Sequence, residues 1–205
     1  PGDRILISLS EFGSNVVSLA QVATHTGASV EVIPNGPDGR LSLAELEKRL
    51  DSTVKLVAIT HVPAQRGVIN PVAEIGALLR DHPAFYLVDA CQSVGQMVVD
   101  VNEIGCDALT ATGRKWLRGP RGTGFLYLGE SWISKIEPST VDLAAADLLK
   151  PGLMMQDTRL DIRQDIKRFE LWERSFALVL GLGAAAEYAL GVGIDRIQEV
   201  VAELA

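Results

Sequence analysis

The stretch Thr110-Ala-Thr-Gly-Arg-Lys-Trp-Leu-Arg-Gly-Pro-Arg-Gly-Thr-Gly-Phe-Leu-Tyr-Leu128 joins two apolar strand-like segments through a basic turn that contains several glycines. Lys115 lies inside that turn, and a lysine can form a Schiff base with a carbonyl compound. Thr112, Arg114 and the backbone N–H groups of the loop are the donors that a phosphate group needs. An exposed surface lysine is the ordinary alternative, but it leaves the glycines unexplained. The turn therefore predicts a reactive amine beside an anion-binding loop.

A second segment, Asp89-Ala-Cys-Gln92, follows the apolar run Phe85-Tyr-Leu-Val88. A carboxylate next to a pyridine nitrogen keeps that nitrogen protonated, which makes the ring an electron sink. Asp89 comes at the end of a predicted strand, where it suits that role, although an Asp in this position also commonly caps the next turn. Together with Lys115, the segment indicates a pyridoxal phosphate site.

Strand-like and helix-like segments alternate along most of the chain, which is typical of a parallel sheet with crossover helices. Strands are predicted at 4–9, 29–33, 54–60, 85–88, 107–111 and 123–128. Helices are predicted at 14–26, after Ser42, and at 71–81, 101–105, 131–136, 169–191 and 194–204, with the rest of 130–165 as loop. Polar residues follow the strands at their carboxyl ends, where open α/β sheets keep their ligand sites. They are His61, Asp89, Gln92 and Thr112.

Composition excludes several other classes of protein. A chain of 205 residues with 47% hydrophobic and 22% charged residues belongs to ordinary globular proteins. Its net charge of -7 argues against a nucleic-acid binder, which needs a basic face. The apolar run 176–194 approaches membrane-spanning length, but Glu187 within it favours a buried helix. The glycines around Lys115 match neither nucleotide-binding glycine motif, and no metal site is expected.

The two cysteines, Cys91 and Cys106, are too few for a disulfide framework in a chain of this length. Their number therefore favours a reducing compartment, and a cytoplasmic location is expected.

The motifs in combination resemble the class V aminotransferases. This fold-type I pyridoxal phosphate family includes cysteine desulfurases, isopenicillin N epimerase-like enzymes and carbon–sulfur lyases. Besides Lys115 and the Asp89 segment, the resemblance rests on Thr60-His-Val62, Gly67-Val-Ile-Asn-Pro71, Gly119-Pro-Arg-Gly-Thr-Gly124 and Arg168-Phe-Glu170. It spans nearly the whole chain. It implies an α/β fold, the three-layer large domain of a pyridoxal phosphate-dependent transferase, with a mainly parallel central sheet of about seven strands and flanking helices.

The resemblance also implies a role for each site residue. Lys115 would carry the Schiff base and move the α-proton, and Asp89 would hold the pyridinium. Gln92 would hydrogen-bond the phenolic oxygen or the phosphate of the cofactor. Thr112 and Arg114 would bind phosphate oxygens. The family commonly has His where Arg114 stands, so this chain offers a permanent cation there instead.

Two positions depart from the family pattern. The histidine that relatives stack on the cofactor ring matches Gly13 here, with Phe12 beside it, so either Phe12 replaces the stack or the alignment is shifted. The asparagine that many members direct at the cofactor matches Ala64, which leaves His61 as the nearest polar candidate. His61 is equally expected to be a cofactor ligand or a structural histidine bonded to backbone.

The type of reaction is less sharply predicted. A desulfurase needs a nucleophilic cysteine on a mobile loop late in the chain, and neither Cys91 nor Cys106 fits that description. The Arg-Lys-Trp sequence at the lysine and the segment 168–173 resemble epimerase-like and sulfoxide-lyase-like members more closely. We therefore expect a transaminase first, a carbon–sulfur lyase or desulfurase second, and a scaffold without cofactor as a different class altogether.

The family is roughly twice as long as this chain, so the resemblance implies an interior fragment. Residues 1–192 would be most of the pyridoxal phosphate-binding large domain without its N-terminal part. Residues 193–205 would begin the helix that leads to a small C-terminal domain. An amino acid or amine substrate and a homodimer are expected from the family, with no nucleic-acid or membrane partner.

Overall fold

The structure is a computed structural model that describes residues 2–148 and 160–205. The chain forms two compact units, a larger one of Pro1–Tyr127 and Leu178–Ala205 and a smaller one of Leu128–Ala177. The helices and strands in chain order are β1 Arg4–Ser8, α1 Gly13–Thr26, β2 Ser29–Ile33, α2 Leu43–Glu47, β3 Val54–Thr60, α3 Val72–Leu79, β4 Phe85–Asp89, α4 Val101–Ile104, β5 Ala108–Thr112, β6 Gly124–Leu128, α5 Glu130–Ile133, β7 Ala146–Leu148, β8 Leu160–Ile162, α6 Phe176–Val192 and α7 Ile194–Leu204.

The central sheet has the strand order β2-β1-β3-β4-β5-β6. β1 pairs in parallel with β2 and with β3, and the pairs β3/β4 and β4/β5 are also parallel. This confirms the predicted mainly parallel sheet. The sheet has six strands in the described part of the chain rather than the expected seven, because the next two strands, β7 and β8, pair with each other in a separate antiparallel sheet.

Helices cover both faces of the sheet, which gives the three layers that were predicted. Leu6 of β1 faces the core formed with α2, α3 and α4. Its neighbours Ile5 and Ile7 face the other way, towards α1. Successive side chains of a strand point to opposite faces, so a strand with helices on both sides is apolar at every position.

Two short-range signals in the sequence are confirmed. Gly27 ends α1 with a φ of 74°, and its N–H donates to the carbonyl oxygen of Ala23 at 2.9 Å. Glycine takes this left-handed conformation without the steric cost that a side chain brings. Ser42 caps α2, where its hydroxyl oxygen accepts a hydrogen bond from the backbone N–H of Glu45 at 3.3 Å.

The predictions for the smaller unit were wrong in three places. The predicted loop contains the β7–β8 pair, and α5 ends at Ile133 rather than at residue 136. The long helix begins at Phe176 instead of residue 169, because a 3-10 helix at Ile166–Phe169 precedes it. The backbone N–H of Trp172 donates to Asp142 Oδ2 at 2.8 Å, which replaces the bond that a continuous helix would make.

Within the described residues, no single helix has both the length and the apolar composition needed to cross a membrane. α6 and α7 meet that criterion only as a pair, and their axes differ by 77° at the break between them.

Candidate active site

The strand order places a crevice at the carboxyl ends of β1 and β3. The chain moves from β1 to β2 on one side, whereas β3 lies on the other side of β1. In open α/β sheets such a reversal leaves a gap between the two connecting loops, and ligands bind there. A pocket of about 200 Å³, here called the switch-point pocket, is lined by residues 9–13 after β1 and by residues 64–66 after β3.

Asp89 ends β4 beside this crevice, and both of its carboxylate oxygens are hydrogen-bonded. Oδ1 accepts from the backbone N–H of Cys91 at 2.9 Å, and Oδ2 accepts from Asn15 Nδ2 at 2.8 Å. Each carboxylate oxygen has a second lone pair for a further donor. The carboxylate is therefore fixed in orientation and can still accept a proton-bearing nitrogen.

Glu11 in turn fixes Asn15. Its Oε1 accepts from Asn15 Nδ2 at 3.0 Å, and its Oε2 accepts from Ser8 Oγ at 3.1 Å and from the Thr60 N–H at 3.0 Å. The Thr60 hydroxyl also donates to this carboxylate. Hydrogen bonds to a carboxylate are stronger than those between neutral groups, so Glu11 holds these donors firmly in place.

Neither Asn15 nor Glu11 was predicted as a site residue. Asn15 lies in the first turn of α1, whereas Glu11 precedes the helix, so no helical spacing in the sequence relates the two residues.

The lysine turn is closed by backbone hydrogen bonds. The N–H of Gly113 donates to the carbonyl oxygen of Thr123 at 2.9 Å, and that of Gly119 donates to the carbonyl oxygen of Gly113 at 2.8 Å. The N–H of Arg118 donates to the carbonyl oxygen of Lys115 at 2.9 Å. These bonds hold Lys115 at a defined place with its side chain half-buried.

Gly95 supports the same turn. Its φ is 92°, and a Cβ at this position would lie 2.6 Å from the backbone nitrogen of Leu117 and 2.6 Å from the carbonyl carbon of Trp116. No real side chain tolerates such a contact, so only glycine lets the two backbone segments approach this closely. The glycine thereby sets the distance between the lysine turn and the segment after β4.

Phe12 is the aromatic ring beside Lys115. The lysine Nζ lies 5.7 Å from the centroid of the Phe12 ring, within the range of a cation–π contact. Of the two alternatives for the Phe12 segment, the structure thus favours the one in which Phe12 supplies the ring next to the lysine. Gly13 lines the switch-point pocket.

The electrostatics of Cys91 show that the predicted residues converge. Burial raises the pKa of the Cys91 thiol to about 11, and the hydrogen bond and charge of Asp89 act in the same direction. The backbone of Thr112 and the charge of Lys115 oppose this shift. Asp89, Thr112 and Lys115 therefore all act on one thiol, and that thiol stays protonated at neutral pH.

His61 is buried at the end of β3. Its backbone N–H donates to the carbonyl oxygen of Asp89 at 2.9 Å. Burial lowers the pKa of its imidazole to about 4, so the ring is neutral at pH 7. Nδ1 is buried and has no hydrogen-bond partner among the described residues. The structure shows no bond from this nitrogen to backbone, and the ring keeps a polar atom for a ligand.

Gln92 and Arg114 are also near the lysine turn. Gln92 Oε1 accepts from the indole Nε1 of Trp116 at 3.2 Å, which links the Asp89 segment to the turn. Its Nε2 remains a donor without a partner in the described part of the chain. Arg114 is exposed and forms no ion pair with a described residue. Trp116 was not predicted as a site residue.

The arrangement combines a lysine amine, a fixed carboxylate and donors suited to an anion. Among the residues that the structure describes, no group of three or more His, Cys, Asp or Glu side chains is arranged to hold a metal ion. The lysine amine and the donors beside it are suited to chemistry on a bound carbonyl compound.

Comparison with known proteins agrees with this chemistry. Residues 1–205 match the family profile "Aminotransferase class-V". The probable cysteine desulfurase of Halalkalibacterium halodurans is 36% identical over 204 residues, which are 100% of this chain and 48% of that protein. The chain thus spans about half the length of the curated relatives it matches.

Solved structures show the same relationship. The apo cysteine desulfurase of Thermococcus onnurineus has a TM-score of 0.84 and 31% identity, over 94% of this chain and 46% of that one. The cystine C–S lyase C-DES, in complex with cysteine persulfide, has a TM-score of 0.83 and 27% identity over 94% of this chain and 51% of that one. A variant of C-DES holds glycine covalently linked to its PLP cofactor. The chain belongs to the class V aminotransferase family.

Proposed function

We propose that this chain forms the cofactor-binding part of a pyridoxal phosphate-dependent lyase that cleaves the carbon–sulfur bond of a cysteine-type amino acid. The transaminase expected first from the sequence becomes the second candidate, because the relatives are named as desulfurases and as a C–S lyase. The observation that carries the proposal is the fixed carboxylate of Asp89, whose segment is joined to the Lys115 turn by the hydrogen bond between Gln92 and Trp116.

The residues present fit pyridoxal phosphate. Asp89 offers a fixed carboxylate for a protonated ring nitrogen, and the buried Nδ1 of His61 has no partner of its own in the described part of the chain. A buried polar atom without a partner is costly, so it favours a site completed by a ligand. Thr112 and Arg114 would hold the phosphate, and Gln92 Nε2 would donate to the phenolic oxygen.

When bound, pyridoxal phosphate supplies an electron sink for the bonds broken at the substrate α-carbon. Lys115 Nζ would hold the cofactor carbonyl and would move the α-proton of the substrate. Asp89 would hold the proton at the ring nitrogen. The Phe12 ring lies beside Lys115, with its centroid 5.7 Å from Nζ.

Neither cysteine of this chain serves as the sulfur acceptor in our proposal. Burial raises the pKa of both Cys91 and Cys106 to about 11, so both thiols are protonated at neutral pH. A protonated thiol is a poor nucleophile. Sulfur would therefore leave without being captured by Cys91 or Cys106.

The test uses the full-length protein supplied with pyridoxal phosphate. We expect an absorbance band at wavelengths longer than the protein's own absorption, and this band should disappear in the Lys115→Ala variant. If the full-length protein shows no such band, it is not a pyridoxal phosphate enzyme, and the hypothesis of a scaffold without cofactor remains.

A second assay separates the two reactions. Incubation with cysteine or cystine should release pyruvate, ammonia and sulfide or persulfide when no keto-acid acceptor is added. Amino transfer that requires a keto-acid acceptor, with no pyruvate from cysteine, would instead identify a transaminase. The Cys91→Ser/Cys106→Ser double variant should keep the lyase activity, since neither thiol takes part. The homodimer and the cytoplasmic location stay predictions.

A further inference from the structure

Arg66 has a backbone conformation that is unusual for an arginine. Its φ is 99°, and the following Gly67 also has a positive φ, of 59°. Residues with a Cβ rarely adopt such angles, and glycine would fill the same position without strain. A strained residue persists where its side chain contributes something that glycine cannot, and such residues cluster at ligand-binding sites. The conformation therefore points to a role for the guanidinium group.

Arg66 lies at the crevice of the sheet. It lines the switch-point pocket together with Phe12, whose ring contacts the Nζ of Lys115. The pocket volume of about 200 Å³ would hold six to seven water molecules at ~30 Å³ each, which is enough for a carboxylate or sulfonate and the carbons that bear it. A substituent of a substrate bound at Lys115 can thus extend along Phe12 towards Arg66.

The charges of the pocket favour an anion at Arg66. The guanidinium of Arg66 has no ion-pair or hydrogen-bond partner among the described residues. The pocket also contains Glu11, but Ser8, Thr60 and Asn15 all donate to that carboxylate. The oxygens of Glu11 therefore already accept hydrogen bonds, whereas the guanidinium of Arg66 remains available as a bidentate donor for a carboxylate or a sulfur oxyanion.

We propose that Arg66 binds an anionic group of the amino-acid substrate in the switch-point pocket. This inference rests on the proposed function, because it assumes that the substrate is bound at Lys115. The anionic group is either the α-carboxylate or an acidic group at the end of the side chain. The same chemistry recognises both, and different probes distinguish them.

The decisive variant is Arg66→Gly in the full-length protein loaded with pyridoxal phosphate. Binding is measured as the change in cofactor absorbance when L-cysteate, L-alanine or L-alaninamide is added. L-Alaninamide has no anionic group, L-alanine has only the α-carboxylate, and L-cysteate has a sulfonate in addition. The matched control is Arg80→Ala, since Arg80 is exposed and follows α3 shortly before β4 begins, at the opposite end of the sheet.

We expect Arg66→Gly to weaken L-cysteate binding at least ~10-fold, as for the loss of a charged hydrogen bond, and to change L-alaninamide binding less than about twofold. If L-alanine binding weakens equally, Arg66 binds the α-carboxylate; if it does not, Arg66 binds the side-chain acid. Arg80→Ala should leave all three probes unchanged. Equal losses for L-cysteate and L-alaninamide, or no loss for L-cysteate, would overturn the proposal.

A stability measurement distinguishes function from structure. Because glycine relieves the strained φ, Arg66→Gly should raise the melting temperature of the apo protein by about 1–4 °C while it weakens anion binding. A lower melting temperature would mean that Arg66 is needed for folding and would count against a ligand role. The absence of a cofactor band in the wild-type protein would refute the proposed function. This result is distinct from a failure of the Arg66 proposal, in which the band is present but anion binding does not depend on Arg66.

Discussion

Asn15 Nδ2 lies 2.8 Å from Asp89 Oδ2 and joins the first helix to the end of the fourth strand of the sheet. The same amide donates to Glu11 at 3.0 Å. The carboxylate expected to meet the ring nitrogen of the cofactor is thus oriented by a residue 74 positions away in the chain.

Replacement of Asn15 by alanine should weaken pyridoxal phosphate binding by roughly 10-fold. A hydrogen bond to a charged group contributes about 1.5–3 kcal/mol, and part of that orients Asp89 for the cofactor. The dissociation constant is measured by titration of the full-length apo protein and followed by absorbance. Ser14→Ala is the control, because Ser14 is exposed on the same helix. Unchanged affinity in Asn15→Ala would show that Asp89 does not need this partner.

Replacement of Gly95 by alanine should destabilise the protein by about 3 kcal/mol, because it adds a steric clash with the lysine turn to an unfavourable φ. Gly67→Ala is the matched control, since Gly67 has a positive φ but a Cβ there would meet no heavy atom within 4 Å. That control should cost only about 1 kcal/mol. Urea unfolding measures the free energy of unfolding of both variants. Equal decreases in the two variants would show that the steric clash is not the cause of the destabilisation.

His61 should make the stability of the protein depend on pH. Burial lowers its pKa in the folded state to about 4, below the ordinary value of 6.5. The folded state therefore favours the neutral ring, so this stabilisation is complete above pH 6.5 and is lost as the pH falls towards 4.

Between pH 7.5 and pH 5 the wild-type protein should lose roughly 2 kcal/mol more stability than His61→Gln, which carries no titrating ring. Urea unfolding at the two pH values gives the comparison. Parallel losses in both proteins would mean that His61 is solvated or paired when protonated.

Cys91 and Cys106 should react slowly with iodoacetamide. With both pKa values near 11, the thiolate fraction at pH 8 is about 100-fold smaller than that of an ordinary free cysteine. Mass spectrometry of the native protein over time measures the rate, and the urea-unfolded protein is the reference. Labelling of Cys91 at the rate of the unfolded chain would reopen its role as a sulfur acceptor.

Much of the larger unit was predictable because its signals are local. The apolar strand at 54–60, the glycine after α1 and the capping serine before α2 each occupy a short window and were confirmed. The smaller unit was predicted less well. There the backbone N–H of Trp172 donates to Asp142, and this long-range hydrogen bond prevents a helix that the local sequence favours.

The sequence by itself determined the class of fold and the residue types of the site. Both depend on local signals, since the lysine turn and each strand or helix are formed by residues that are neighbours in the chain. Only the tertiary structure decided that Asn15 orients Asp89, that Gly95 supports the turn and that Phe12 lies beside Lys115. These contacts join residues from separate elements, and no local pattern records the distance at which packing brings them together. The strain at Arg66 likewise exists only in the folded backbone.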